Sequence, residues 1–144
     1  MRLVIQRVRS ASVEVAGRHV ASIGSGLVAL VGFAAQENPA QLGRMARRLI
    51  SLRMFDDERG RLNRSVAEIS GSVLLIPQIT LTASLDKGTR PSFHTAAAPQ
   101  IALERFEAFV QDVRAVHPQV HAGVFQAQMI VHLSNDCPVT FILD

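Results

Sequence analysis

Hydrophobic and polar positions change rhythm several times along the 144 residues, and each rhythm predicts an element. Leu3, Ile5 and Arg7 alternate with Arg2, Val4, Gln6 and Val8, which predicts a strand over residues 1–8. Ser12–Val15 and His19–Ile23 flank Ala16-Gly17-Arg18, a hairpin signal. Gly24-Ser25-Gly26 then breaks the chain before the apolar run Leu27–Phe33, a buried strand. Asn38-Pro39 places a helix cap before a proline suited to the first helical position, after which Leu42, Met45, Leu49 and Ile50 recur at helical spacing. Asp56–Gly60 reads as a charged turn, and Ser72–Leu81 as a second apolar strand with Pro77 near its exit. Residues 82–98 form a long, sparsely apolar loop of the kind that usually serves function. Pro99 opens a helix whose Ala102, Phe106, Phe109, Val113 and Val116 share one face, and His117-Pro118 closes it. Val120–Phe125, Ala127–Leu133 and, after an Asn135-Asp136 turn, Val139–Leu143 complete the strands. The expected fold is a single α+β domain over residues 1–144. It has two helices and a curled, barrel-like, mostly antiparallel sheet of about eight strands.

Composition narrows the classes of function. A chain of this length can bury a core without disulfides or metals, and 48% of its residues are hydrophobic. Cys137 is the single cysteine, which excludes an internal disulfide and argues against a cysteine-rich zinc site, so no metal or other cofactor is expected. No apolar run is long enough to span a bilayer and the first residues do not have a signal-peptide layout, so a cytoplasmic location is expected. The charge is lopsided. Residues 1–65 hold eleven basic side chains against five acids, and residues 66–144 hold four against seven. All basic residues but Lys87 are arginine, whose planar fork suits phosphate, so the chain either faces a polyanion or carries ordinary solvated arginines.

Four segments stand apart from the core pattern: Gln6-Arg7-Val8, Pro77-Gln78-Ile79-Thr80-Leu81, Asp86–Phe93, and Asn135-Asp136-Cys137-Pro138-Val139-Thr140. Each alone has a bland reading, as strand, turn or small buried thiol, and none matches a nucleotide loop, a metal box or a nucleophile elbow. Together and in this order they resemble the D-aminoacyl-tRNA deacylase family, long called D-tyrosyl-tRNA deacylase. Ala11-Ser12-Val13, Ile23–Leu27, Gly71–Leu74 and Arg90-Pro91-Ser92-Phe93 extend the resemblance over essentially the whole chain.

The resemblance implies a homodimer with its active sites at the subunit interface, acting on the aminoacylated 3′ end of tRNA. Pro77–Leu81 would line the pocket for the aminoacyl group, with Gln78 and Thr80 in the catalytic segment and Pro77 and Ile79 at the substrate. Cys137 and Pro138 would form, from the partner, the cis-peptide element that rejects L-residues. Arg7 would lie toward the tRNA, or be an edge-strand charge, and Phe125 and Met129 would lie near the terminal adenine, or serve only as core. Lys87 and Arg90, on the long loop, suit phosphate, unless Arg90 simply pins that loop. An aminoacyl ester is already activated, so positioning and an oxyanion site carry most of the catalysis. Neither Gln78 nor Thr80 is a useful base, which favours assistance by the tRNA's own terminal 2′-hydroxyl. The competing arrangement makes Thr80 a nucleophile and needs a base, for which His94 is nearest in sequence.

Two departures fall inside these motifs. Pro77 and Ile79 replace the family's usual Ser and Phe, and Pro77 is shared with relatives that have relaxed chirality and remove L-alanine. Cys137 replaces Gly; if that glycine uses a positive φ, the cysteine must shift the loop or carry the strain. The alternatives are therefore a chirality-relaxed deacylase, an inactive binder of the tRNA 3′ end, and a hydrolase using Cys137 as nucleophile.

Overall fold

The computed structural model describes residues 1–86 and 88–144. Its longest strand, β1 (Arg2–Val15), merges two expected segments into one. β1 folds back through Ala16-Gly17 onto β2 (Arg18–Ile23), and its first half pairs with β3 (Gly26–Gly32). A short 3-10 turn, Pro39–Gln41, precedes helix α1 (Leu42–Ser51), and the Asn38 side chain caps the turn rather than the helix, accepting from the Ala40 N–H at 3.0 Å. The small hairpin β4 (Arg53–Asp56) and β5 (Leu62–Ser65) encloses the charged turn and was not foreseen. Strand β6 (Ser72–Pro77), helix α2 (Pro99–Val116), strand β7 (Val120–Ala122) and strand β8 (Met129–Leu143) follow.

The main sheet runs β2-β1-β3-β6-β7, with β8 on the other side of β1. The pairings of β1 are antiparallel, whereas β3, β6 and β7 run parallel, their connections carrying the two helices. Alternation along the strands divides the core in two. Leu27, Ala29 and Val31 of β3 and Val73 and Leu75 of β6 join the cluster beneath α1 and α2, where Phe109 is the largest fully buried side chain. Val28, Leu74 and Ile76 face the inside of the curled sheet. β1 serves both faces: Leu3 and Ile5 point to the helices, but Val8, Ala11 and Val13 point inward. Val8 faces inward by ordinary alternation, and a register shift between Val8 and Ser10 turns Ala11 and Val13 to that same side, because a slip of one residue reverses every later side chain.

Four expectations need correction. Ile79–Leu81 do not continue the strand, which ends at Pro77; Ile79–Thr82 form a 3-10 turn instead. Asn135-Asp136 do not separate two strands, since β8 runs unbroken against β1. The strand expected over Val120–Phe125 stops at Ala122, and Val116 lies exposed beyond the buried face of α2.

Candidate active site

The turn after β6 gives the site its shape. Gly32 ends β3 directly beneath it, and a β-carbon there would stand 2.9 Å from the Gln78 carbonyl oxygen and 3.0 Å from Leu81 Cβ. Glycine therefore lets the turn settle on the sheet. The Gln78 N–H is committed to the Val31 carbonyl at 2.8 Å, so it is not free for a ligand. The next two N–H groups, of Ile79 and Thr80, open the 3-10 turn and have no acceptor among the described residues, as the first donors of any helical turn lack one inside it. The Gln78 side-chain amide donates to Thr80 Oγ1, which ties the two candidate catalytic side chains together.

One side of this turn borders a cavity of about 400 Å3. Five of the expected site residues meet there: Pro77, Gln78, Ile79, Phe125 and Met129. Thr80 is exposed and stands just outside the lining. Leu30, Ile76, Pro99, Gln126, Ala127 and Val131 complete the wall, and none of the lining residues is titratable. Phe125 is a core residue as well as a wall: its ring packs against Phe106, the centroids 6.4 Å apart. Met129 occupies space left by Gly123, where a β-carbon would come within 2.8 Å of the sulfur.

His94 is elsewhere. Its Nδ1 lies 2.9 Å from Ser92 Oγ in a different cavity, bordered by Ser84, Asp86 and Ser92. Arg90 is exposed on the same loop and does not border the candidate site, and Lys87 lies outside the described residues.

Arg7 has a role that sequence reading missed. It is 4% exposed on a strand paired on both sides, neither an edge charge nor a free ligand contact. One terminal nitrogen donates to the Met54 carbonyl at 3.0 Å and to Asp56 at 3.3 Å, while Nε approaches Asp136 at 3.1 Å, off the hydrogen-bond direction. Arg9 holds the other Asp136 oxygen at 3.1 Å. Asp136 lies inside a motif already singled out, and that was the available signal. This ion-paired group sits where β8 bulges: between Gln6↔Thr140 and Val8↔Asn135, four β8 residues, Asp136–Val139, stand opposite Arg7 alone. Cys137 is at the tip, exposed, at φ +95°, and its peptide bond to Pro138 is cis, as the motif implied. The cysteine thus holds an angle that glycine adopts freely. Neither Cys137 nor Pro138 borders the cavity of its own chain.

Residues 4–144 match the model of the D-Tyr-tRNA(Tyr) deacylase family. The chain belongs to this family. Relatives named D-aminoacyl-tRNA deacylase include one from Ectopseudomonas mendocina, 49% identical over 144 residues, covering 100% of this chain and 99% of the relative. Another, from Azotobacter vinelandii, is 48% identical over the same length with the same coverage. Among solved structures, the c-Myc DNA unwinding element binding protein superposes with a TM-score of 0.95 at 35% identity, covering 100% of this chain and 98% of its own. A probable eukaryotic D-amino acid tRNA deacylase shares the fold with a TM-score of 0.84 at 15% identity, covering 99% and 98%. The Pro77–Leu81 and Asn135–Thr140 segments that carried the resemblance thus form the turn after β6 and the bulge of β8. Among the described residues no group of His, Cys, Asp and Glu is arranged to hold a metal ion, and no helix is long and apolar enough to cross a membrane.

Proposed function

We propose that this protein hydrolyses the ester linking a D-amino acid to the 3′-terminal adenosine of tRNA, in the cytoplasm, and releases the free D-amino acid and tRNA. The observation that carries the mechanism is a cavity without a titratable lining residue beside a turn with two free amides. Water adds to the ester carbonyl carbon, and the negative charge that develops on its oxygen is taken by the Ile79 and Thr80 N–H groups. The bond to the ribose oxygen then breaks, and that oxygen leaves with a proton. With no carboxylate or imidazole at the cavity, the terminal 2′-hydroxyl of the tRNA positions the water and relays the proton. Gln78 lines the cavity at the ester, and Phe125 and Met129 supply an apolar bed for the adenine. A Thr80 nucleophile would need a base, and His94 borders a different cavity.

The same reading makes the site composite. Cys137-Pro138 projects from the bulge and stays off its own cavity, which suits a filter delivered to a partner's pocket. Among the described residues β8 pairs on one side only, and it exposes Ile130, Leu133, Phe141 and Ile142, an apolar edge of the kind a second copy covers. Lys87, together with Arg90 on the loop after the turn, is assigned to the incoming tRNA end.

Hydrolysis of D-Tyr-tRNA or D-Phe-tRNA tests the reading. Turnover should survive Thr80→Ala largely intact and disappear when the terminal 2′-hydroxyl is replaced by hydrogen. Efficient hydrolysis of L-Ala-tRNA would point instead to the chirality-relaxed activity. Binding of the tRNA end without turnover would mark an inactive paralogue.

A further inference from the structure

A run of like charge lies outside the cavity, on α1 and just after it. Between Glu37 and Asp56 the chain carries four arginines and no acid. Three of them, Arg44, Arg47 and Arg48, are spaced three and four apart and exposed, opposite the buried Leu42, Met45, Leu49 and Ile50. None of the three forms an ion pair among the described residues. Asp112 of α2 borders this helix at Gly43 and does not pair with them either. Like charges at these spacings cost helix stability, and Arg44 stands in the first turn, where the helix dipole disfavours a cation. The arrangement is thus poor for the isolated helix and suited to an anionic partner. Its position is informative too. Gln41 and Met45 share a cavity with Leu81 and Thr82, which belong to the same turn whose other side borders the candidate site.

We propose that the arginine face of α1 is the rest for the acceptor-stem phosphates of tRNA while the aminoacylated end occupies the cavity. Guanidinium groups bind phosphate through paired N–H donors, and four helical residues advance about 6 Å, so Arg44 and Arg48 reach different phosphates of one strand. The inference rests on the tRNA-hydrolysis reading and adds where the body of the substrate docks.

Two substrates separate the surface from the site: full-length D-aminoacyl-tRNA, and D-aminoacyl-adenosine, which has no stem. The triple variant R44E/R47E/R48E should raise KM for the full-length substrate at least ten-fold with kcat unchanged, and leave hydrolysis of the short one unaltered. The slope of log affinity against log salt for deacylated tRNA should flatten by up to roughly 3. R44K/R47K/R48K, which keeps the charge, should restore most of the binding and controls for folding. Unchanged KM for full-length tRNA, or equal losses on both substrates, would overturn the docking surface. If the unmodified protein hydrolyses neither substrate yet binds deacylated tRNA through these arginines, the surface stands and the enzymatic reading falls.

Discussion

At the residue scale, Cys137 concentrates the departure from the family pattern. Its φ of +95° lies in the region that glycine adopts freely and side chains adopt at a cost of about 1–3 kcal/mol. Cys137→Gly should therefore stabilise the fold by about 1 kcal/mol, read as a higher denaturant midpoint at unchanged slope. Cys137→Ala should bring no such gain, because the β-carbon rather than the thiol conflicts with the angle. A lower midpoint for the glycine variant would show that the thiol makes a compensating contact. Removing the side chain should also widen the range of D-aminoacyl groups accepted in the partner's pocket. Arg7 illustrates the same scale differently. Its charge is readable in the sequence, but its use depends on Met54, Asp56 and Asp136, which the fold brings from distant positions.

At the scale of elements, the turn after β6 is shaped by the strand beneath it. Gly32→Ala would put a β-carbon against the Gln78 carbonyl and Leu81, forcing the turn off the sheet and the Ile79 and Thr80 amides out of place. We expect kcat/KM to fall by more than ten-fold, equivalent to at least about 1.4 kcal/mol of transition-state stabilisation. Unaltered activity in a folded Gly32→Ala protein would mean that the turn does not position the catalytic groups. The β4–β5 hairpin gives a pH-dependent case. Backbone N–H groups of Arg61 and Arg59 donate to the Asp57 carboxylate, at 3.0 and 2.9 Å, and with help from Asn63 hold its pKa below the ordinary aspartate value. A depressed folded pKa means a contribution present above the unfolded pKa and lost as pH falls through the folded one. The hairpin turn should thus remain ordered at mildly acidic pH and loosen only below the usual aspartate range. Titration of the Asp57 carboxyl by NMR with a midpoint at or above that range would contradict this.

At the scale of the molecule, the cavity and the Cys137-Pro138 bulge occupy separate places on one chain, so the composite site proposed above would take two. Ile142 is 64% exposed on β8, whose outer side has no strand partner among the described residues. Ile142→Arg should convert a dimer to a monomer in light scattering and abolish chirality-selective hydrolysis together with it. A variant that is monomeric and still selective would refute the composite site. The single-chain fold should survive, because Ile142 belongs to neither buried core cluster.

Local pattern determined a great deal. The period of the apolar residues placed α1 and α2 and most of the strands, because burial of one face imposes that period whatever the partner. The ordered motifs led to the family because they recur over the whole chain, and five of the expected residues do line one cavity. Tertiary structure decided the rest. Ile79–Leu81 have strand-like composition, yet they turn because Gly32 permits close approach and the Gln78 N–H is taken by Val31. Asn135-Asp136 have turn-like composition, yet β1 is long enough to carry β8 past them and absorb the excess residues as a bulge. Leu30, Pro99 and Gln126 could not be read as cavity walls, since a wall is defined by strands and helices meeting across the sheet. Periodicity records which face of an element is buried; it does not record what that face meets, and the chemistry of this site depends on the meeting.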